Sequence, residues 1–225
     1  MRYISSKINA GTILMFLLVF ILLPWQAAAE GGGDRLVGDL QSSDKAVRSA
    51  AIDELGKIKD RSSVVALIGV FNSTGEDWKL QIKALDALAA SGAPMVTDTL
   101  MDALVNFCPS IKWHAAVGLG LYNNDARVVD ALIAALDDST MFIREAAIES
   151  LGKIRALKAV PYLGNALHDS HFAIRLKAVR ALKSIGDQQS LLFLKWSADH
   201  ETEPIIRDEA VSIVKGTASQ RALLR

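Results

Sequence analysis

Six times along the chain the same alternation of apolar and polar positions returns, at intervals of 33, 31, 32, 31 and 32 residues. Each copy opens on an apolar residue (Val47, Leu80, Ile111, Ile143, Ile174, Ile206) followed by a long polar one (Arg48, Gln81, Lys112, Arg144, Arg175, Arg207). Alanine stands four places after every start, at Ala51, Ala84, Ala115, Ala147, Ala178 and Ala210. The fifth place is apolar throughout, and the eighth is Leu55, Leu88, Leu119, Leu151, Leu182 or Val214. Apolar residues three and four apart form one stripe on an α-helix. A fixed period of about 20–50 residues marks stacked supersecondary units, each burying its apolar face against its neighbours.

Between successive alanine-bearing helices the pattern predicts a second apolar helix: residues 63–71, 96–107, 126–136, 159–167 and 190–198. Gly92-Ala93-Pro94 and Gly186-Asp187 close helices, and Asn72 to Gly75, Asp137-Asp138-Ser139 and His168-Asp169-Ser170 precede the next ones. The Asp-Ser pairs offer acceptors for the free N–H groups of a helix start. The expected fold is therefore all-α: a right-handed α-solenoid of about six stacked helix pairs spanning residues 30–225. The alanine-bearing helix is the slimmer of each pair, so it is expected on the concave side, with the alanine allowing close helix approach. The arginine at the second place is expected to bond a loop carboxylate or carbonyl of a neighbouring unit, because its fork suits fixed contacts of that kind.

Residues 1–29 stand apart from the array. Arg2 and Lys7 precede the apolar run Ile13–Leu23, which Pro24, Trp25 and the small residues Ala27-Ala28-Ala29 follow. A basic start, a short apolar core and a small-residue site form a secretory signal. Cleavage is expected after Ala29, giving a periplasmic or secreted protein; the alternative is a membrane anchor formed by residues 8–25. Removing Arg2 and Lys7 leaves 23 basic against 25 acidic residues, a balance with no global footprint for nucleic acid. The membrane is a partner only if the segment is retained. Cys108, the only cysteine, excludes an intramolecular disulfide and is expected in the core, closing the apolar helix before Pro109.

Candidate chemistry sits on the outward positions of the alanine-bearing helices. Ile82, Trp113, His114, Val117 and Leu176 are apolar or aromatic where a purely structural repeat would be polar. Lys83 and Asp86 on one side, and Glu145, Glu149, Lys177 and Arg180 on the other, complete a charged rim. An aromatic centre with a polar rim is the pattern of a partner-binding surface. Trp113 has a second reading, as filler leaning into the space left by Ala115, Ala116 and Gly118. His168 and His171 lie in one loop and His200 precedes Glu201, which falls short of the three or four converging ligands a metal needs. No catalytic residue, metal site or cofactor is expected, since no nucleophile elbow, phosphate loop or zinc-protease motif occurs.

The phrase D-x-x-x-x-R-x-x-A-A-x-x-L-G-x-I, carried best by residues 137–167 and well by residues 44–58 and 169–185, resembles the HEAT-like repeat of the phycobilin-lyase type. Residues 80–92 and 111–121 depart from it at Gln81 and at Trp113-His114. The resemblance covers almost the whole chain after residue 29. It implies a superhelix with the alanine-bearing helices inside. It also implies an alternative to the principal expectation, which is an exported, non-catalytic scaffold binding a protein or peptide on its concave face. In that alternative the chain is a bilin-lyase-like enzyme or enzyme subunit using the same cleft. Iron hydroxylases built on similar repeats carry several His-Glu pairs, which this chain lacks.

Overall fold

A computed structural model describes residues 33–223 apart from residue 124; the segment expected to direct export, residues 1–29, lies outside the described residues. Twelve helices follow one another, and no strand occurs among the described residues. They are α1 (33–39), α2 (Lys45–Ile58), α3 (Arg61–Asn72), α4 (Trp78–Ser91), α5 (Val96–Asn106), α6 (Pro109–Leu119), α7 (Ala126–Ala134), α8 (Met141–Lys153), α9 (Val160–Ala166), α10 (Phe172–Ile185), α11 (Gln188–His200) and α12 (Pro204–Leu223). Short 3₁₀ turns, Ala135–Asp137 and Leu157–Ala159, extend α7 and lead into α9. Every even-numbered helix carries the alanine phrase, so six pairs stack as an α-solenoid. No described helix is long and apolar enough to cross a membrane.

Aspartates start many of these helices. Asp44, Asp60, Asp77, Asp125 and Asp187 are N-caps whose carboxylates accept a bond from an amide of the first turn. The Asp-Ser loops act one step earlier than expected. The N-caps of α8 and α10 are Thr140 and His171, and Asp138 and Asp169 accept from those two amides at 2.8 Å, which closes the loop just before the helix begins.

The repeated alanines Ala51, Ala84, Ala115, Ala147, Ala178 and Ala210 are all buried, together with the leucines of the eighth place. A further pair of small residues sets the spacing between units. One small residue at the C-terminal end of an even helix meets one small residue of the next: Gly56 against Ala87, Ala89 against Gly118, Gly120 against Ser150, Gly152 against Ala181. A Cβ on Gly152 would stand 2.8 Å from the Ala181 Cα atom, so these helices touch almost backbone to backbone. The even helices accordingly pack on one another far more extensively than the odd ones do, which makes them the inner layer of a curved stack.

The arginines tie the units together. Arg48 donates to the carbonyls of Ser42 and Ser43 and, through Nε and Nη2, to both carboxylate oxygens of Glu76 in the following loop, at 2.9 and 3.0 Å. Arg175 repeats this with Asp169, Ser170 and Glu201. Arg144 bonds the carbonyls of Asp138 and Ser139 and reaches Asp169 at 3.5 Å, and Lys112 reaches Asp138 at 3.3 Å. Gln81 keeps only the carbonyls, those of Phe71 and Ser73. The connection it would face, residues 107–108 and the first turn of α6, contains no acid.

Candidate functional site

The outward residues of the inner layer are paired across the junctions in a fixed register. Counting from each apolar start, the residue at +3 of one unit meets the residue at +6 of the unit before. Lys83 donates to Asp53 at 2.7 Å and to Ser49. His114 Nδ1 lies 2.7 Å from an Asp86 oxygen, and Lys177 donates to Glu149. At the last junction the sense reverses, Arg180 at +6 making a bidentate pair with Glu209 at +3; Glu209 holds the Arg180 guanidinium above its ordinary pKa.

One rung has no charge. Between the third and fourth units the two places hold Val117 and Ala146. Val117 is 41% exposed and Trp113, one turn before it on α6, is 38% exposed, whereas Ala146 is 5% exposed. The Trp113 indole meets the His114 ring edge-on, with centroids 4.9 Å apart. Ile82 and Leu176 are half-buried against the core on the flanking units. Glu145 is half-buried beside Ala146 and has no bonding partner among the described residues. The inner face is thus a ladder of polar pairs broken once, at its centre, by an apolar window of Trp113, Val117 and Ala146.

Of the residues the sequence nominated, Trp113 and Val117 form the window, and Glu145 precedes its third member, Ala146, in the chain. Lys83, Asp86, His114, Glu149, Lys177 and Arg180 bond to other inner-face residues and hold adjacent helices in register. Ala146 was missed, because alone it reads as one more small residue; the signal is its register opposite Val117. A cleft of about 630 Å³ lies elsewhere, around the Arg48–Glu76 pair between α1 and α3.

The remaining polar groups have local duties. His168 and His200 lie against the Trp196 ring, with centroids at 4.3 and 5.0 Å, and His171 lies 2.9 Å from Asp169. Among the described residues no three His, Cys, Asp or Glu side chains converge as a metal site would require. Cys108 departs from expectation. It is exposed, because α5 ends at Asn106 and the cysteine is the N-cap of α6, turned out of the apolar stripe.

The HEAT repeats family model matches residues 34–106, 97–163 and 143–214. The phycocyanobilin lyase subunit alpha of Nostoc sp. strain PCC 7120 is 33% identical over 114 residues, covering 47% of this chain and 41% of that one. The same subunit of Picosynechococcus sp. strain PCC 7002 is 33% identical over 88 residues, 36% of this chain and 33% of that one. The chain therefore spans well under half the length of these curated relatives. Among solved structures, the complex of CpcE and CpcF of phycocyanin lyase from Nostoc sp. PCC7120 aligns with a TM-score of 0.58 at 23% identity, over 80% of this chain and 75% of that one. The archaeal HEAT-like repeats protein of Thermococcus onnurineus NA1 aligns at 0.53 and 16% identity, over 94% and 97%. These structures share the fold. The sequence kinship with lyase subunits overturns the expectation of a scaffold that performs no chemistry, and with it the expectation that the chain is not an enzyme.

Proposed function

Because the chain belongs to the HEAT-repeat family, and curated relatives it matches are phycocyanobilin lyase subunits, we propose that it is a subunit of a bilin-lyase-type enzyme. Its inner face holds a linear tetrapyrrole, and a second protein subunit completes the enzyme. The apolar rung is the observation that supports this most. A conjugated, flat ligand needs an apolar and aromatic floor, which Trp113 and Val117 supply. Acidic side arms of such a ligand need a donor nearby, and the Lys177 ammonium stands on the flanking rung, shared with Glu149. Trp113 and Val117 bind and orient, while Glu145 is the uncommitted carboxyl group available to exchange a proton with the ligand. In this reading the residues Ile82, Lys83, Asp86, Glu149, Leu176 and Arg180 shape and stiffen the surround.

Titrating the purified protein with phycocyanobilin, followed by visible absorbance, tests the proposal. A saturable shift of the long-wavelength band that weakens at least tenfold in Trp113→Ala is expected. An unchanged spectrum, with and without a candidate second subunit, removes the reading. Export is part of the same proposal and rests on the basic start, short apolar core and Ala27-Ala28-Ala29. N-terminal sequencing of the protein from its own cell is expected to read from Glu30 or within about two residues of it, whereas an intact Met1 chain in the membrane fraction shows an anchor instead.

A further inference from the structure

We propose that the junction of α10, α11 and α12 is a second binding site, for a small apolar carboxylate, at the opposite end of the inner layer's logic from the apolar window and independent of the lyase reading. The seam of small residues is what closes the inner layer elsewhere: Gly56 on Ala87, Ala89 on Gly118, Gly120 on Ser150, Gly152 on Ala181. At the last junction the two places hold Lys183 and Ile213. Neither side chain permits backbone-to-backbone approach, and α12 packs on α11 far more than on α10, unlike α10, which packs closely on α8. The space left is a cleft of about 380 Å³.

The chemistry of the cleft is that of an amphiphile site. Leu191, Leu194 and Ile213 form its apolar wall, Ser212 and Thr217 its polar part, with the Thr217 hydroxyl donating to the Ile213 carbonyl at 2.9 Å, and Lys183 completes the lining. Lys183 is exposed and has no partner among the described residues. Glu209 is paired with Arg180, whereas Asp187, next to the lining residue Gly186, accepts only the amide of Ser190 at 2.7 Å and keeps its charge. The cleft sets the unpaired Lys183 ammonium beside Leu191, Leu194 and Ile213, an arrangement that suits a ligand with an anionic head and a short hydrocarbon body. The volume falls at the small end of ligand pockets, roughly 300–1,000 Å³. A Cβ at Gly216, which also lines the cleft, would meet nothing within 4 Å, so this position can be filled without disturbing the backbone.

Calorimetric titration of the protein with sodium decanoate tests the site, with 1-decanol as the neutral comparator. Saturable decanoate binding is expected. Lys183→Met should weaken it at least tenfold while leaving decanol unaffected, and Gly216→Leu should abolish it with the thermal midpoint unchanged or raised. Absence of saturable binding overturns the proposal, as does decanoate binding that survives Gly216→Leu in a folded variant or is indifferent to Lys183→Met.

Discussion

Arg175 grips its own loop with one nitrogen and the carboxylate of Glu201 with two others, so one side chain fixes a helix start and a neighbour at once. Glu201 is the most enclosed carboxylate of these tethers, its side chain 5% exposed. Burial pushes its carboxyl pKa up, and the Arg175 guanidinium with the amides of Glu203 and Thr202 outweighs that, holding it below the ordinary value. Arg175→Met is therefore expected to cost about 1–3 kcal/mol at neutral pH, the range for a buried polar group left without its partner. The pH dependence has a definite sign. In the wild type the contribution is present above about pH 4.3, the unfolded carboxyl value, and is lost as pH falls through the depressed folded one. In Arg175→Met desolvation dominates, so the deficit shrinks as acid protonates Glu201. Urea denaturation of both proteins at pH 7 and pH 4 checks this; a deficit that stays constant places the cost elsewhere. The arginine's role was legible in the sequence, because the residue recurs and its geometry suits carbonyl and carboxylate together. Its carboxylate partners were not, since Glu76, Asp169 and Glu201 lie 25–28 residues downstream at unequal spacing. Gln81 shows the logic in reverse: where the next loop carries no acid, the cation is absent too.

At the scale of the helix, small residues decide how closely units approach. Gly152→Ala would place a methyl group 2.8 Å from the Ala181 Cα atom, and backbone cannot rotate away as a side chain can. A loss of about 1–3 kcal/mol is expected, the usual cost of overpacking. Gly69, in the middle of α3 on the outer layer, has nothing within 4 Å of an added Cβ. Gly69→Ala is expected to gain about 0.5–1 kcal/mol from the reduced backbone entropy of the unfolded chain. Chemical denaturation midpoints that move in opposite directions support the seam, and equal shifts sink it. The helices themselves were readable because apolar periodicity, aspartate caps and glycine breakers all agreed. The seam was not, because it appears only when one helix is laid beside the next. Cys108 failed for a related reason: apolar periodicity ran through to the cysteine, but Pro109 cannot continue α5 and instead starts α6. Its thiol should react with Ellman's reagent in the folded protein as fast as in urea, and protection in the native state would contradict its exposure.

Across the whole molecule, the inner face is organised by which rungs carry charge. Exposed ion pairs of this kind contribute little each, about 0.2–1 kcal/mol, yet they occupy the surface and leave one apolar opening. From the sequence, Trp113 and Val117 were visible as exceptions to the repeat, and Glu145 as part of the charged rim. The pairing of Lys83 with Asp53, His114 with Asp86 and Lys177 with Glu149 was not, because it depends on the offset between neighbouring helices. Those side chains read as a free rim when they are in fact each other's partners. Trp113 is more than a third exposed, so Trp113→Ala is expected to lower stability by about 1 kcal/mol or less while removing ligand capture; a thermal melt beside a binding assay separates the two.

The most direct test completes the ladder. Val117→Glu with Ala146→Lys places an acid at +6 and a base at +3, as where the first unit meets the second and the fourth meets the fifth, and closes the window with a rung of the kind already present around it. The double variant, titrated with phycocyanobilin beside the wild type, is expected to fold with a thermal midpoint within a few degrees and to lose the absorbance shift. A double variant that folds and still binds the tetrapyrrole as the wild type does would contradict the assignment of the apolar rung as the site.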